Sequence, residues 1–444
     1  MHFVNCYVHS SFFFTGEIIF KVLLRHSYMN KLVLFITLSF LLSSCAGQDK
    51  NKIYEFRNYG RTGIYEDHEL MKQWPAEGPK EILAIENIGN GFVSPVFTDD
   101  GFFITGEVDS MSILFSFNLK GEKLWQTTLG REWLAGGYPG SRCTPTVAGN
   151  LIYAGTGMGN LYCVNRKDGK VIWSKELKDD FDGATPLHGY SEAPLIDGDK
   201  IFWTPGGKKH NVVALNRFTG SLIWSNKGFG EPSAYNPGKV ITLPSRKILV
   251  TFSMYHMLGF DTETGQLLWS HEQDNYPIEK RGPGYGDTHS NAIIYENGTI
   301  WYAEGDGNCG VRLDLSPDGT KITEVWRNKG FDSYMGGVVK SGNYMYCGAV
   351  ARPQLVSIDA VSGQLVDSLK TATGVVIMAD DMLYYYNQKG EMMLLSINNG
   401  KMQVVSTFRI KKGTLQHFSH PVINKGILWQ RHGKVLLAYN IKNQ

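Results

Sequence analysis

The sequence has no Cys-x-x-C pair, which removes both a thioredoxin-like redox site and a zinc ribbon. Its twelve histidines form no His-Glu-x-x-His pair and no tight metal spacing, so zinc chemistry has no ligand set to point to. The formal net charge is only +2, and no long Lys/Arg run follows the leader, so nucleic acid is a poor partner. Three near-motifs are incomplete. Gly155-Thr156-Gly157-Met158-Gly159 is glycine-rich but joins two strands, where a dinucleotide fingerprint needs a strand followed by a helix. Gly189-Tyr190-Ser191-Glu192-Ala193 approaches a nucleophile elbow but lacks the last glycine and the helix after it. Glu304-Gly305-Asp306-Gly307-Asn308 carries close carboxylates without a full twelve-residue calcium loop.

What the chain does have is a repeat. Thr144 to Leu177 contains short apolar runs at Pro145 to Val147, Leu151 to Ala154, Leu161 to Val164 and up to Trp173, divided by Gly, Asn and Asp. Such runs read as four antiparallel strands. Gly-x-x-x-Trp recurs at Gly121 to Trp125, Gly169 to Trp173, Gly220 to Trp224 and Gly265 to Trp269. That spacing is the roughly 40–50 residue period of a β-propeller. Fifty glycines, 12% aromatics and 42% hydrophobic residues in a chain of 444 fit one large closed all-β domain. Innermost strands are expected to start near Ser94, Thr144, Ala193, Asn236, Asn291, Gly337, Gly374 and His420, which makes eight blades. The outer strand decays along the chain: Asp367 stands where blade six should have Trp, and Gly400 to Val405 has none. The last unit stops without an outer strand, while Glu81 to Glu86 is strand-like and has no blade of its own. These residues are expected to complete blade eight and close the ring, removing open sheet edges. The tryptophans read as core rings between neighbouring blades.

Ahead of the ring, Met29-Asn30-Lys31, the apolar Leu32 to Leu42 and then Leu42-Ser43-Ser44-Cys45 read as a signal peptide with a lipoprotein-type processing site. Cys45 is then the lipidated residue, with more than one acyl chain to hold the membrane. Ala46 after it, rather than Asp, points to the outer membrane over the inner. The expected organisation is a leader at 1–45, with Met29 as the initiator and 1–28 an over-long start, a lead-in at 46–79 and the propeller at 80–444. The lead-in, with Gly60-Arg61-Thr62-Gly63 and Gln73-Trp74-Pro75, is expected to lie along the propeller wall, Trp74 pinned against it. Export would allow Cys143, Cys163, Cys309 and Cys347 to pair, but strand placement favours buried free thiols.

Gly259-Phe260-Asp261-Thr262-Glu263-Thr264-Gly265-Gln266-Leu267-Leu268-Trp269 and Ala214 to Trp224 resemble the repeat of pyrroloquinoline-quinone-type propellers, over about 80–444. That repeat builds quinoprotein dehydrogenases and also the lipoprotein scaffold of the outer-membrane β-barrel assembly machinery. The loops from each outer strand to the next inner strand should gather at the channel mouth. They hold the candidate ligand- or partner-binding residues Arg142, His188, Tyr190, Glu192, Tyr235, Tyr285, Asp287, His289, Asn291 and Tyr334, with Tyr138, His417 and His420 nearby. The first expectation is a lipid-anchored, monomeric cell-envelope propeller that binds a protein or glycan partner, with no cofactor, no metal and no catalysis of its own. The alternatives are carbohydrate binding and a quinoprotein-type oxidoreductase. For the latter the resemblance implies pyrroloquinoline quinone and calcium; Glu192, Asp287 and Asn291 have side-chain oxygens that could serve a hard cation and Arg142 could meet the quinone, but no motif order ties them to the family's own ligands. The adjacent-cysteine disulfide of many such dehydrogenases is missing.

Overall fold

The computed structural model describes residues 52–272, 278–280, 293–305 and 309–443. Among these, eight four-stranded antiparallel sheets follow one another as blades 1 to 8 of a β-propeller. Their inner strands are Val96–Phe97, Thr146–Ala148, Leu195–Asp197, Lys239–Thr242, Ile294–Glu296, Val339–Ser341, Gly374–Ala379 and Val422–Asn424. Each falls where a blade start was read from the sequence. Helix is almost confined to the five residues Leu177–Phe181.

The repeat residues form a clasp between blades. The Asp or Asn that opens each turn accepts from the turn's own backbone: Asp261 Oδ1 takes the N–H groups of Glu263 at 3.1 Å and Thr264 at 3.0 Å, and Asn216 Oδ1 takes that of Phe218 at 3.0 Å. The turn glycine has positive φ, +70° at Gly265 and +71° at Gly220. It also has no room for a side chain. A Cβ on Gly265 would lie 2.6 Å from the Trp224 ring of the preceding blade. Trp224 Nε1–H in turn donates to Thr262 O at 2.9 Å, and Trp173 does the same to Arg217 O at 3.0 Å. A register shift recurs beside these tryptophans, between Cys163 and Val164, Ala214 and Leu215, and Gly259 and Phe260. Bulges of this kind bend a strand and re-aim a side chain, here at the residue that must reach the next blade.

Where Trp is missing the clasp is rebuilt. Asp367 Oδ2 accepts the Met402 N–H of blade 7 at 2.8 Å, and Tyr344 and Val366 pack beneath Gly400. Leu83 and Ile85 pack beneath Gly121 of blade 1. The last two residues belong to Lys80–Ile85, which pairs antiparallel with Val435–Asn440 and completes blade 8 from the N-terminal side.

The lead-in departs from its expected course. Only its second half runs along the outside of the blades, where Trp74 is buried and meets Phe408 edge-on at 5.2 Å. Its first half fills the channel. Ile53–Tyr54 pairs antiparallel with the inner strand of blade 2, and Ile64–Tyr65 pairs parallel with that of blade 7. Between them the chain turns over, with positive φ at Arg57, Asn58, Gly60, Arg61 and Gly63. Arg57 donates to the carbonyls of Val338 at 2.7 Å and Val376 at 3.1 Å. Arg61 donates to Ala193 at 3.2 Å, Pro194 at 2.8 Å and Gly238 at 3.1 Å, and pairs with Glu55 at 2.7 Å. The reason the sequence spells Gly-Arg-Thr-Gly is then plain, because a Cβ on Gly63 would sit 2.0 Å from the Arg57 guanidinium.

Deleting residues 80–88 removes the strand that closes the ring, so the melting temperature and soluble yield should both fall sharply; an unchanged melt would show that closure lies elsewhere. Trp269→Ala should cost about 3–5 kcal/mol in chemical denaturation, as for a large core truncation, since its ring is 7% exposed and its N–H holds Gly319 O of blade 5 at 3.2 Å.

Candidate functional site

The loops that precede the inner strands surround a cup of about 420 Å³ on the channel axis. Its walls are Phe92, Tyr138, Arg142, Thr144, His188, Ser191, Tyr235, Tyr334, Met335 and Phe418. Phe56 and His420 also line it, Phe56 being contributed by the plug. The rings lean on one another: Tyr138 lies 5.9 Å from His188 and 5.6 Å from Phe418, and His188 lies 5.9 Å from Tyr235.

His420 fixes the plug beneath the cup. Its Nε2 lies 2.7 Å from Met335 O and its Nδ1 3.0 Å from Arg57 Nη1. A carbonyl can only accept and a guanidinium can only donate, so Nε2 carries the proton and the ring is neutral. Burial, helped by the Arg57 charge, pushes its pKa down to about 3.

Of the residues singled out in the sequence, Arg142, His188, Tyr235 and Tyr334 meet around this cup, as do Tyr138 and His420. Tyr190 and Glu192 do not. Tyr190 is fully buried, its ring 4.5 Å from that of Trp203. Glu192 is buried in the same wall, where Thr204 donates to it from N–H at 3.0 Å and from its hydroxyl at 3.3 Å. The Tyr190 hydroxyl lies against Glu192 Oε2 and donates to Thr204 O at 3.0 Å, which suits a protonated Glu192. Burial raises the Glu192 pKa to about 7. In the extended loop before Leu195–Asp197, Ser191 lines the cup while these two neighbours are buried in the wall behind it. His417 stacks on His432 at 3.8 Å, outside the cup. Tyr285, Asp287, His289 and Asn291 lie outside the described residues. Sequence reasoning missed Phe56, Phe92 and Phe418. The first was hidden by placing the lead-in on the outer wall.

The four cysteines 143, 163, 309 and 347 are buried free thiols. Among the described residues no three His, Cys, Asp or Glu side chains gather as a metal cluster, and no helix is long and apolar enough to cross a membrane. The described part of the cup, which leaves out Asp287 and Asn291, lacks the donor chemistry of a calcium-held quinone. Calcium takes six to eight oxygen ligands with carboxylates among them. The described lining offers hydroxyls beside a guanidinium and no carboxylate, and Glu192 is turned away and engaged. These residues do not fit that group.

An eight-bladed ring of quinoprotein-type repeats, with a plugged axis and an aromatic cup at one mouth, is the class of protein these features define. The profile of the family described as outer membrane protein assembly factor BamB matches residues 110–368, and the chain belongs to this PQQ-like, BamB-related propeller family. It is 32% identical over 109 residues to outer membrane protein assembly factor BamB of Escherichia coli, a match covering 24% of this chain and 26% of that one. It is 35% identical over 80 residues to the quinoprotein alcohol dehydrogenase PedH of Pseudomonas putida, covering 17% of this chain and 13% of the enzyme. The chain thus spans about a quarter of the first relative's length and an eighth of the second's. The crystal structure of BamB from Moraxella catarrhalis superposes with a TM-score of 0.57 at 14% identity, covering 82% of this chain and 98% of that one, which shows a shared fold.

The buried Glu192 gives a pH prediction. A carboxyl whose folded pKa is raised to about 7 from 4.5 lends stability that is complete below 4.5 and lost as pH rises through about 7. Between pH 4.5 and 8 the native chain should therefore lose on the order of 3 kcal/mol that Glu192→Gln does not lose. Denaturation curves of the two proteins that stay parallel across this range would refute the protonated carboxyl.

Proposed function

We propose that the protein is a lipid-anchored propeller of the bacterial cell envelope, held at the outer membrane through Cys45, that works as a binding and scaffold module without catalysis of its own. The observation that carries this reading is the plug. Arg57, Arg61 and Phe56 occupy the axis with the protein's own chain, leaving a shallow cup with an aromatic lining. A rigid ring with such a mouth can hold a partner without any catalytic constellation. Family membership supports the scaffold reading, since the matched profile is named for an assembly factor. The leader motif supports the anchor. The partner is an envelope protein or a glycan. Eight aromatic or imidazole rings around the cup favour a ligand that stacks, so the glycan is the stronger second reading within this function.

The test is a titration of the purified chain with pyrroloquinoline quinone, with and without calcium, beside a dye-reduction assay with alcohols and sugars. No binding and no turnover are expected, while Tyr138→Ala and Tyr334→Ala lower recovery of a partner crosslinked in envelope preparations. Calcium-dependent quinone binding with turnover would replace this reading with an oxidoreductase.

A further inference from the structure

The cup contains polar groups that the protein leaves unused. Arg142 donates from Nε to Gly140 O at 3.2 Å and from Nη2 to the carbonyls of Tyr138 and Gly140. Among the described residues its Nη1 makes no hydrogen bond and no carboxylate pairs with it. The hydroxyls of Thr144 and Tyr138, which also line the cup, have no partner among the described residues either. The guanidinium lies 5.9 Å from the Phe92 ring centre, and burial pulls its pKa below the ordinary arginine value. Glu132 acts on this charge only through space, its own oxygens being held by Trp133 N–H, Gly157 N–H and the Ser141 hydroxyl, so an anion in the cup would add the hydrogen-bonded partner that the guanidinium lacks.

The lining restricts what that anion is carried on. A guanidinium recognises a carboxylate by a planar fork of parallel N–H bonds. Phe56, Phe92 and Phe418 offer ring surface against which a flat body can lie. An aromatic acid would use those rings but leave the Thr144 and Tyr138 hydroxyls facing an apolar surface, a mismatch that binding sites penalise. A sugar ring has both faces of the problem: C–H groups for the aromatics and hydroxyls for the two free side chains. The volume of about 420 Å³ lies low in the range of small-ligand sites, which suits one or two sugar rings. We propose that the cup binds the acidic ring of a uronic-acid-containing glycan, with Arg142 on the carboxylate and Thr144 and Tyr138 on ring hydroxyls. This proposal rests on the reading of the cup as the binding mouth, and it names the ligand class.

Calorimetric titration of the full chain with digalacturonate, its methyl ester, neutral digalactose and benzoate tests it. Digalacturonate should bind saturably, and about tenfold or more tighter than its ester, digalactose or benzoate. Arg142→Gln should weaken digalacturonate about tenfold and leave digalactose unchanged. The ester makes the same comparison on the unmodified protein should that variant not fold. Equal affinity for acid and ester, or benzoate matching digalacturonate, would overturn the proposal. So would no digalacturonate binding, and if Tyr138→Ala still lowered partner recovery in that case, the cup would remain a docking mouth for a different ligand. Digalacturonate binding together with quinone turnover would keep the ligand and reject the non-catalytic reading.

Discussion

The structure depends on disposing of the backbone carbonyls that eight inner strands turn toward one axis. A buried carbonyl without a donor is costly, and native folds leave few of them. Here Arg57 and Arg61 take several of them, and Arg431 takes others between blades 8 and 1. Arg57 takes carbonyls from blades 6 and 7, and Arg61 from the starts of blades 3 and 4. Arg431 ties blade 8 to blade 1 through Thr105 O at 2.7 Å, Gly89 O at 2.9 Å and its own turn at Gly433 O, 2.7 Å away. Five donors in a rigid fork let one side chain reach several acceptors, which a lysine could not do. Burial lowers Arg57 to about 10 and Arg431 to about 9, so both stay charged at neutral pH. The lead-in is therefore a structural part of the ring and not an appendage to it.

The outer part of each blade solves a different problem. Neighbouring blades must touch at a fixed angle all round the ring, and the Trp-to-turn clasp sets it. The indole supplies area, its N–H supplies direction, and the turn glycine makes room. The later blades show that the requirement is the contact and not the residue. Asp367 keeps the directional bond to Met402 N while Tyr344 and Val366 supply the area under Gly400. Leu83 and Ile85 supply area alone under Gly121, and there the paired terminal strands provide the direction.

This division explains what could be read from the sequence. The blades were legible because the early repeats carry turn residue, glycine and Trp at fixed offsets, and the later ones keep the turn glycine and the short apolar runs after the Trp is gone. The closing strand was legible by subtraction, as one strand too many at 81–86 and one too few at the end. The plug was not. Gly60-Arg61-Thr62-Gly63 stood out as a motif, but its meaning lies in carbonyls on blades 3, 4, 6 and 7 that no local pattern connects to it. The cup was half legible for a similar reason. Loop position pointed to Arg142, His188, Tyr235 and Tyr334, but the same loop buries Tyr190 and Glu192 against Trp203 and Thr204, contacts that loop position alone does not reveal.

Filling the axis also decides what chemistry the mouth can support. General acid–base work needs a group that titrates near the working pH and can reach a ligand. Glu192, tuned to about 7, meets the first condition and not the second, because Tyr190 and Thr204 enclose its carboxyl in the wall. His420 meets the second and not the first: its bonds to Arg57 and Met335 hold it neutral, with a pKa of about 3, under the cup. The same plug that satisfies the carbonyls thus converts an ionisable floor into an inert one. Among the described residues, what is left facing a ligand is the Arg142 guanidinium and the His188 imidazole among rings and hydroxyls.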